Sequence, residues 1–166
     1  MSSSQSETEW IPACKIADIK DGKLHTNVGG RFVTLIKRND NIHCIDSICF
    51  HMGGPLGAGD IEDVDGSSCI ICPWHYLKID INDGKKLSHR ITSFDERGKP
   101  AGFQWEKSTE VFQRVHEVRV DMGTVLVKLS TTQPEVQSDR YCTHAAAAKA
   151  LGNSKTIGRD GKRIRF

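Results

Sequence analysis

The chain has 166 residues, enough for one ordinary domain but not for a second catalytic domain of normal size. Charged residues make up 27% and apolar residues 37%, a balance typical of a water-soluble globular protein, and the formal net charge is only +2. Residues 153–166 hold five basic residues and one acidic residue, a net charge of +4. The rest of the chain therefore sums to −2 and gives no sign of a nucleic-acid-binding surface.

Residues 1–8, MSSSQSET, are polar and rich in serine, and we expect them to be disordered. They lack the basic flank and apolar stretch of a signal peptide, and no apolar run in the chain approaches the ~20 residues of a membrane-spanning helix. We therefore expect a cytoplasmic protein without a membrane span. In that reducing compartment the six cysteines suit free thiols or metal ligands better than a disulfide framework.

Short apolar segments follow from residue 10 onward, and turn residues separate them. WIPACKIADI predicts a first strand, and VTLIK and IHCID predict a hairpin around RNDN. SSCIICP is an apolar, strand-like run that leads directly into CPWH, and YLKIDINDGKKL alternates before a turn at Asn82–Gly84.

A second hairpin is predicted by VHEVRVDMGTVLVKL, which turns at Asp121–Gly123. One set of its side chains suits a buried face: Val118, Val120, Val125, Val127 and Leu129. Many short strands with regular turns favour an all-β fold, a small antiparallel sandwich or barrel.

Two regions do not follow this pattern. Residues 88–110 show no strand periodicity, and we interpret them as a long loop. Residues 131–166 form a polar and finally basic tail, in which AAAAKAL suits a short helix. The predicted folded domain therefore spans residues 9–130.

Two short motifs combine cysteine with histidine: Cys49-x-His51 and, farther along the chain, Cys72-x-x-His75. Thiolate and imidazole together indicate a bound metal. A zinc ion could use Cys69, Cys72 and His75 with a fourth ligand from the first motif. The mixed pairs also suit a [2Fe–2S] centre, in which each of two irons needs two protein ligands.

The residues around these motifs resemble the Rieske family. The stretch CFHMGGPLGAGDIEDVDGSSCIICPWHYLKIDINDGKKL is similar to the two cluster-binding loops of that family and the hairpin that follows them. The likeness extends over roughly residues 10–130. GGPL, GDIED and CPWH are shared in detail with the small soluble Rieske domain-containing proteins of animals. The resemblance implies a fold of Rieske type with a cluster-binding subdomain of two loops.

The resemblance also implies the ligands of one Rieske-type [2Fe–2S] cluster. Cys49 and Cys72 would hold the inner iron, and His51 and His75 would hold the outer iron, close to solvent. Around them, Leu56 and Trp74 are candidates to shield the cluster from water, and the glycine at position 54 lets the first loop turn tightly. The other cysteines are interpreted as ordinary thiols rather than ligands.

A low reduction potential is expected within the range of about −150 to +300 mV that Rieske centres span. High-potential members of the family carry one further cysteine in each loop, and the two form a disulfide; the matching positions here hold Gly54 and Trp74. Those members also carry a serine and a tyrosine that donate hydrogen bonds to the cluster. The matching Leu77 and Ile79 have no donor to offer.

These features favour a one-electron carrier, a soluble Rieske-type ferredoxin, over an enzyme that acts alone. The chain has no dinucleotide-binding fingerprint and too little length for a second metal site. We expect a monomer that takes an electron from a flavoprotein reductase and passes it to a terminal oxygenase or hydroxylase. The alternatives are a redox-sensing module whose partner binding depends on the cluster, and a small subunit of a larger oxidoreductase.

Overall fold

The computed structural model describes residues 9–131, 134–143, 145–146 and 148–149, and the strands between residues 10 and 128 form an all-β domain. This confirms the predicted fold class. Eleven strands are present in the described residues: β1 (Trp10–Lys15), β2 (Lys23–Val28), β3 (Arg31–Arg38), β4 (Asn41–Asp46), β5 (Ile61–Val64), β6 (Ser67–Ile71), β7 (Lys78–Asp80), β8 (Lys85–Phe94), β9 (Pro100–Val111), β10 (Val115–Asp121) and β11 (Thr124–Lys128).

The strands form two antiparallel sheets. The first has six strands in the order β1-β11-β10-β4-β3-β2, and the second has five in the order β5-β6-β7-β8-β9. Tight turns join neighbouring strands. At the β10–β11 turn, Met122 and Gly123 both have positive φ, which matches the twist of the strands they connect.

Two apolar clusters make up most of the core. The cluster within the six-stranded sheet includes Val33, Leu35 and Val127, all wholly buried. The second cluster draws Ile45 from the six-stranded sheet and Ile79 from the five-stranded sheet. It therefore fastens the two sheets together, and Cys49 and Cys72 belong to it.

The prediction of a long loop at residues 88–110 is wrong. These residues form most of the β8–β9 hairpin, in which His89 pairs with Trp105 and Ile91 with Phe103. Most side chains beyond Leu87 are exposed on both faces of this ribbon. A strand that exposes both faces to water needs no alternation of apolar and polar residues, so its sequence lacks the period-two pattern that usually predicts a strand.

The β10–β11 hairpin forms where it was predicted, but one member of its proposed buried face does not fit. Val125 and Val127 are wholly buried, and Val118 and Leu129 pack against the same cluster. Val120 is 47% exposed. It lies next to the turn, where the hairpin extends beyond the core.

The segment after residue 131 begins with a part that packs on the domain. Residues Gln137–Tyr141 form a short 3₁₀ helix, and Ser138 within it is buried. Residues 1–8, predicted to be disordered, and the basic residues 153–166 lie outside the described residues. The boundaries at residues 9 and 130 stay predictions. None of the helices in the described part of the chain is long and apolar enough to cross a membrane.

Candidate metal centre

The first motif lies in loop 1, which we define as residues 47–60 between β4 and β5. The N–H of Cys49 donates to the carbonyl of Gly54 at 2.8 Å, and the carbonyl of Cys49 accepts from the N–H of Gly53 at 3.0 Å. Gly53 has a φ of +73°, which lets the backbone fold back at this point. These bonds place His51 at the tip of a closed turn.

The second motif lies in loop 2, residues 72–77 between β6 and β7, and it has the same frame. The N–H of Cys72 donates to the carbonyl of Leu77 at 2.9 Å, and its carbonyl accepts from the N–H of Tyr76 at 2.8 Å. As in loop 1, the fourth residue after the cysteine has positive φ, here +57° at Tyr76. Because β6 ends at Ile71, the strand delivers Cys72 directly into this turn.

The two loops bring their cysteines together. Cys49 and Cys72 are each 1% exposed. A hydrogen bond between the two thiols, together with burial, raises the pKa of Cys49, and the same bond lowers the pKa of Cys72 to about 7. The backbone N–H groups of the residues just after each cysteine add to the stabilisation of its thiolate: His51 and Met52 in loop 1, and Trp74 and His75 in loop 2. The site therefore carries donors directed at sulfur anions.

The two histidines form a second pair at the surface. His51 and His75 are both exposed, and their ring centroids are 4.9 Å apart with the planes at 84°. Each ring is two or three residues from a cysteine of the buried pair. The structure thus groups all four predicted side chains as a buried thiol pair and an exposed imidazole pair.

Cys69, the further cysteine of the zinc alternative, lies elsewhere. Side chains alternate along β6, so Ile70 and Cys72 join one apolar cluster while Cys69 and Ile71 join another. Burial raises the pKa of Cys69 to about 12. Within the described residues, no group of three or more His, Cys, Asp and Glu side chains is placed to hold a single metal ion.

Gly54, Leu56 and Trp74 lie around the two thiols. A Cβ atom built on Gly54 would lie 3.0 Å from Cδ2 of Trp74 and 3.2 Å from Sγ of Cys72, so only glycine fits without a shift. Leu56 is wholly buried in the same apolar cluster as the two cysteines, and the half-buried Trp74 packs against that cluster. Ile79, which has no hydrogen to donate, is also wholly buried there.

Sequence reasoning missed Gln113, which holds the start of loop 1 from the link between β9 and β10. Its buried amide donates to the carbonyls of Asp46 at 3.0 Å and Ile48 at 2.7 Å, and its oxygen accepts from the N–H of Phe50 at 2.9 Å. A single glutamine 63 residues from Phe50 gives no signal of this role in the sequence.

A buried carboxylate at the end of β4 was also missed. Asp46 accepts two hydrogen bonds from Arg31, both at 2.7 Å, one from His116 at 2.9 Å and one from Ser138 at 2.6 Å. Burial opposes its ionisation, but the bonds from Arg31 and His116 lower the pKa of Asp46. Nδ1 of His116 accepts from the N–H of Ser130, so Nε2 carries the proton that faces Asp46.

Comparison with known proteins agrees with the predicted resemblance to the Rieske family. Residues 13–132 match the family described as soluble Rieske-type ferredoxin. The human Rieske domain-containing protein is 41% identical over 127 residues, which cover 76% of this chain and 78% of that protein. The ferredoxin component of the alkene monooxygenase system of Xanthobacter autotrophicus is 28% identical over 85 residues, 51% of this chain and 67% of that protein.

A solved structure shares the fold. The ferredoxin of carbazole 1,9a-dioxygenase from Nocardioides aromaticivorans superposes with a TM-score of 0.53 at 20% sequence identity. The alignment covers 73% of this chain and 98% of that ferredoxin.

Proposed function

The chain belongs to the family of soluble Rieske-type ferredoxins, and from that membership we propose that it carries single electrons between a reductase and a terminal acceptor. Members of this family normally bind a [2Fe–2S] cluster. Two of its relatives bear names of ferredoxins that serve oxygenase systems. By analogy, the donor for this chain is a flavoprotein reductase and the acceptor is an oxygenase or hydroxylase.

The observation that carries the proposal is the separation of a buried thiol pair from an exposed imidazole pair. Cys49 and Cys72 would hold one iron and His51 and His75 the other, which fits the two-by-two ligand set of a Rieske cluster. When bound, such a cluster supplies a reversible one-electron couple. Metal binding requires the thiolate form. Backbone N–H groups act in that direction at both cysteines, but at Cys49 the bond to Cys72 and burial outweigh them and raise its pKa, whereas the pKa of Cys72 is lowered.

The exposed histidines support electron exchange at the surface. His51 and His75 lie where a partner protein can touch them, and two apolar side chains beside them are also exposed, Met52 at 57% and Tyr76 at 49%. On the buried side of the site, Leu56 and the half-buried Trp74 would shield a bound cluster from water.

The site also supports a low potential. Hydrogen-bond donors to the sulfurs raise the potential of a Rieske centre because they stabilise the added electron. Leu77 and Ile79 present only alkyl groups, and no disulfide can join Gly54 to Trp74. We expect a midpoint potential at the lower end of the range of about −150 to +300 mV.

The test combines spectroscopy with metal analysis on the purified protein. We expect iron and sulfide in equal amounts, and a rhombic electron paramagnetic resonance signal of low average g after reduction with dithionite. Cys49→Ser and Cys72→Ser should abolish that signal, while the matched variants Cys44→Ser and Cys69→Ser should retain it. A silent protein with one zinc ion, or loss of iron in Cys69→Ser but not in Cys49→Ser, would overturn the proposal.

A further inference from the structure

Residues 134–142, which we call the clasp, lie beyond the family match that ends at residue 132 and pack on loop 1. The ring of Tyr141 lies directly over Gly53: a Cβ atom built there would be 3.0 Å from both Cδ1 and Cε1 of the ring. The same ring packs on the buried Ile48. Ile48 precedes Cys49 and Gly53 follows His51 by two residues, so one aromatic ring contacts loop 1 on both sides of its predicted ligands.

An ion-pair network anchors the clasp two residues before that ring. The carboxylate of Asp139 accepts hydrogen bonds from Arg114 at 2.5 and 2.7 Å and from Arg31 at 2.5 Å. Burial opposes the charge on Asp139, but the bonds from Arg114 and Arg31 outweigh it and hold the pKa of that carboxyl well below its usual range. Arg114 also donates to the carbonyls of Ser130 and Pro134, where the clasp begins.

A second anchor ties the clasp to the strand that enters loop 1. Ser138, 1% exposed, donates through its hydroxyl to Asp46 at 2.6 Å and accepts from the N–H of Arg114 at 2.9 Å. Its own N–H donates to the carbonyl of Phe112 at 3.1 Å. Asp46 is the last residue of β4, three residues before Cys49. The clasp is therefore bonded to the base of loop 1 as well as packed on its tip.

Loop 1 has a greater need of such support than loop 2. It has 14 residues between its flanking strands, whereas loop 2 has six. A longer segment loses more conformational entropy when it is fixed, so it depends more on contacts from outside. Tyr141 and Gln113 provide those contacts, the first over Gly53 and the second at the carbonyls of Asp46 and Ile48.

We propose that the clasp supports the metal centre, and that Tyr141 is the positioning residue that fixes loop 1 through its contacts with Gly53 and Ile48. The support of loop 1 by Tyr141 follows from the contacts above, whereas its importance for a metal centre rests on the proposed function. The N–H groups of His51 and Met52 that face the sulfur of Cys49 lie between Ile48 and Gly53, the two residues of loop 1 that the ring of Tyr141 contacts. If loop 1 opens, these bonds to sulfur are lost.

The first experiment measures the metal centre in the full-length protein. Tyr141→Ala should release iron to a chelator several-fold faster than the wild type and should shift the midpoint potential. Tyr141→Phe, which keeps the ring, should match the wild type in both measurements. The matched control is Phe103→Ala, which removes an aromatic ring that is 58% exposed on the β8–β9 hairpin, and it should also change neither.

The second experiment needs no metal and separates the two proposals. Amide hydrogen exchange of the metal-free protein should rise in residues 47–60 of Tyr141→Ala and stay unchanged in residues 72–77. If exchange in Tyr141→Ala rises equally throughout the chain, Tyr141 only stabilises the fold as a whole. If exchange in loop 1 does not change, Tyr141 does not hold that loop. Either result overturns the inference. So would loop 1 exchange that rises while iron release and potential stay as in the wild type. If the wild type binds no iron, the proposed function fails, and the metal-free exchange still decides whether Tyr141 holds loop 1.

Discussion

Gln113 shows how a single buried side chain can order a loop far away in sequence. Its amide forms three hydrogen bonds with backbone groups at the start of loop 1, and it is 0% exposed. A buried polar group that loses its partner costs about 1–3 kcal/mol. Replacement of the amide would leave the N–H of Phe50 and the carbonyl of Ile48 without these bonds.

We therefore predict that Gln113→Leu lowers the free energy of unfolding by roughly 3 kcal/mol, measured by denaturant titration. Gln104→Leu is the matched control, because Gln104 is exposed on β9 and its replacement should change stability by less than about 0.5 kcal/mol. Equal effects of the two substitutions would contradict the role assigned to Gln113.

Single residues also show the limit of sequence reasoning about the site. The spacing of Cys49, His51, Cys72 and His75 predicts one centre, and the fold brings these four side chains together. Gln113, Asp46 and Tyr141 act through contacts that exist only after the chain has folded, and nothing in their neighbourhoods distinguishes them. Local patterns therefore identify candidate ligands, and tertiary contacts decide what holds the ligands in place.

At the scale of elements, strands with one buried face were predictable and the β8–β9 hairpin was not. β3 and β6 carry continuous apolar runs because the core covers them, and they form where the sequence placed them. The hairpin beyond Leu87 has water on both faces and exposes large apolar side chains such as Phe94, at 64%, and Phe103, at 58%. Its stability comes from cross-strand bonds, which leave no periodic signal in the sequence.

This difference predicts that the end of the hairpin contributes little to the stability of the domain. Replacement of residues 91–103 by an Asn-Gly turn would join Arg90 to Gln104, which already face each other across the hairpin. Because the removed side chains are largely exposed, we expect the free energy of unfolding to change by less than about 1 kcal/mol. A larger loss would show that the hairpin end packs on the domain. Far-UV circular dichroism during thermal unfolding provides the measurement.

At the scale of the whole molecule, acid should destabilise the fold well above the range of carboxylate titration. Burial lowers the pKa of His25 to about 4, and its Nδ1 lies 2.6 Å from the hydroxyl of Ser47. In the unfolded chain a histidine titrates near pH 6.5, so between about pH 6.5 and 4 the unfolded state binds more protons than the folded state. Stability present above about pH 6.5 is therefore lost progressively as the pH falls towards 4.

Denaturant titrations of the full-length protein between about pH 8 and pH 4 test this expectation. His25→Gln should flatten the dependence of the free energy of unfolding on pH in this window. If the free energy of unfolding of His25→Gln depends on pH as steeply as that of the wild type, other groups cause the acid sensitivity. Below about pH 4, protonation of Asp46 and Asp139, whose pKa values are both lowered, should add a further loss.

The alternation of side chains along β6 has a consequence for a zinc ion that meets the unfolded chain. In the unfolded chain Cys69 and Cys72 form a CxxC pair, a flexible chelate well suited to a single zinc ion. Once β6 forms, the two sulfurs lie on opposite faces of the sheet, in separate apolar clusters. Chelation by this pair and formation of the strand exclude each other. An ion held by both sulfurs would therefore have to leave before the sheet could close.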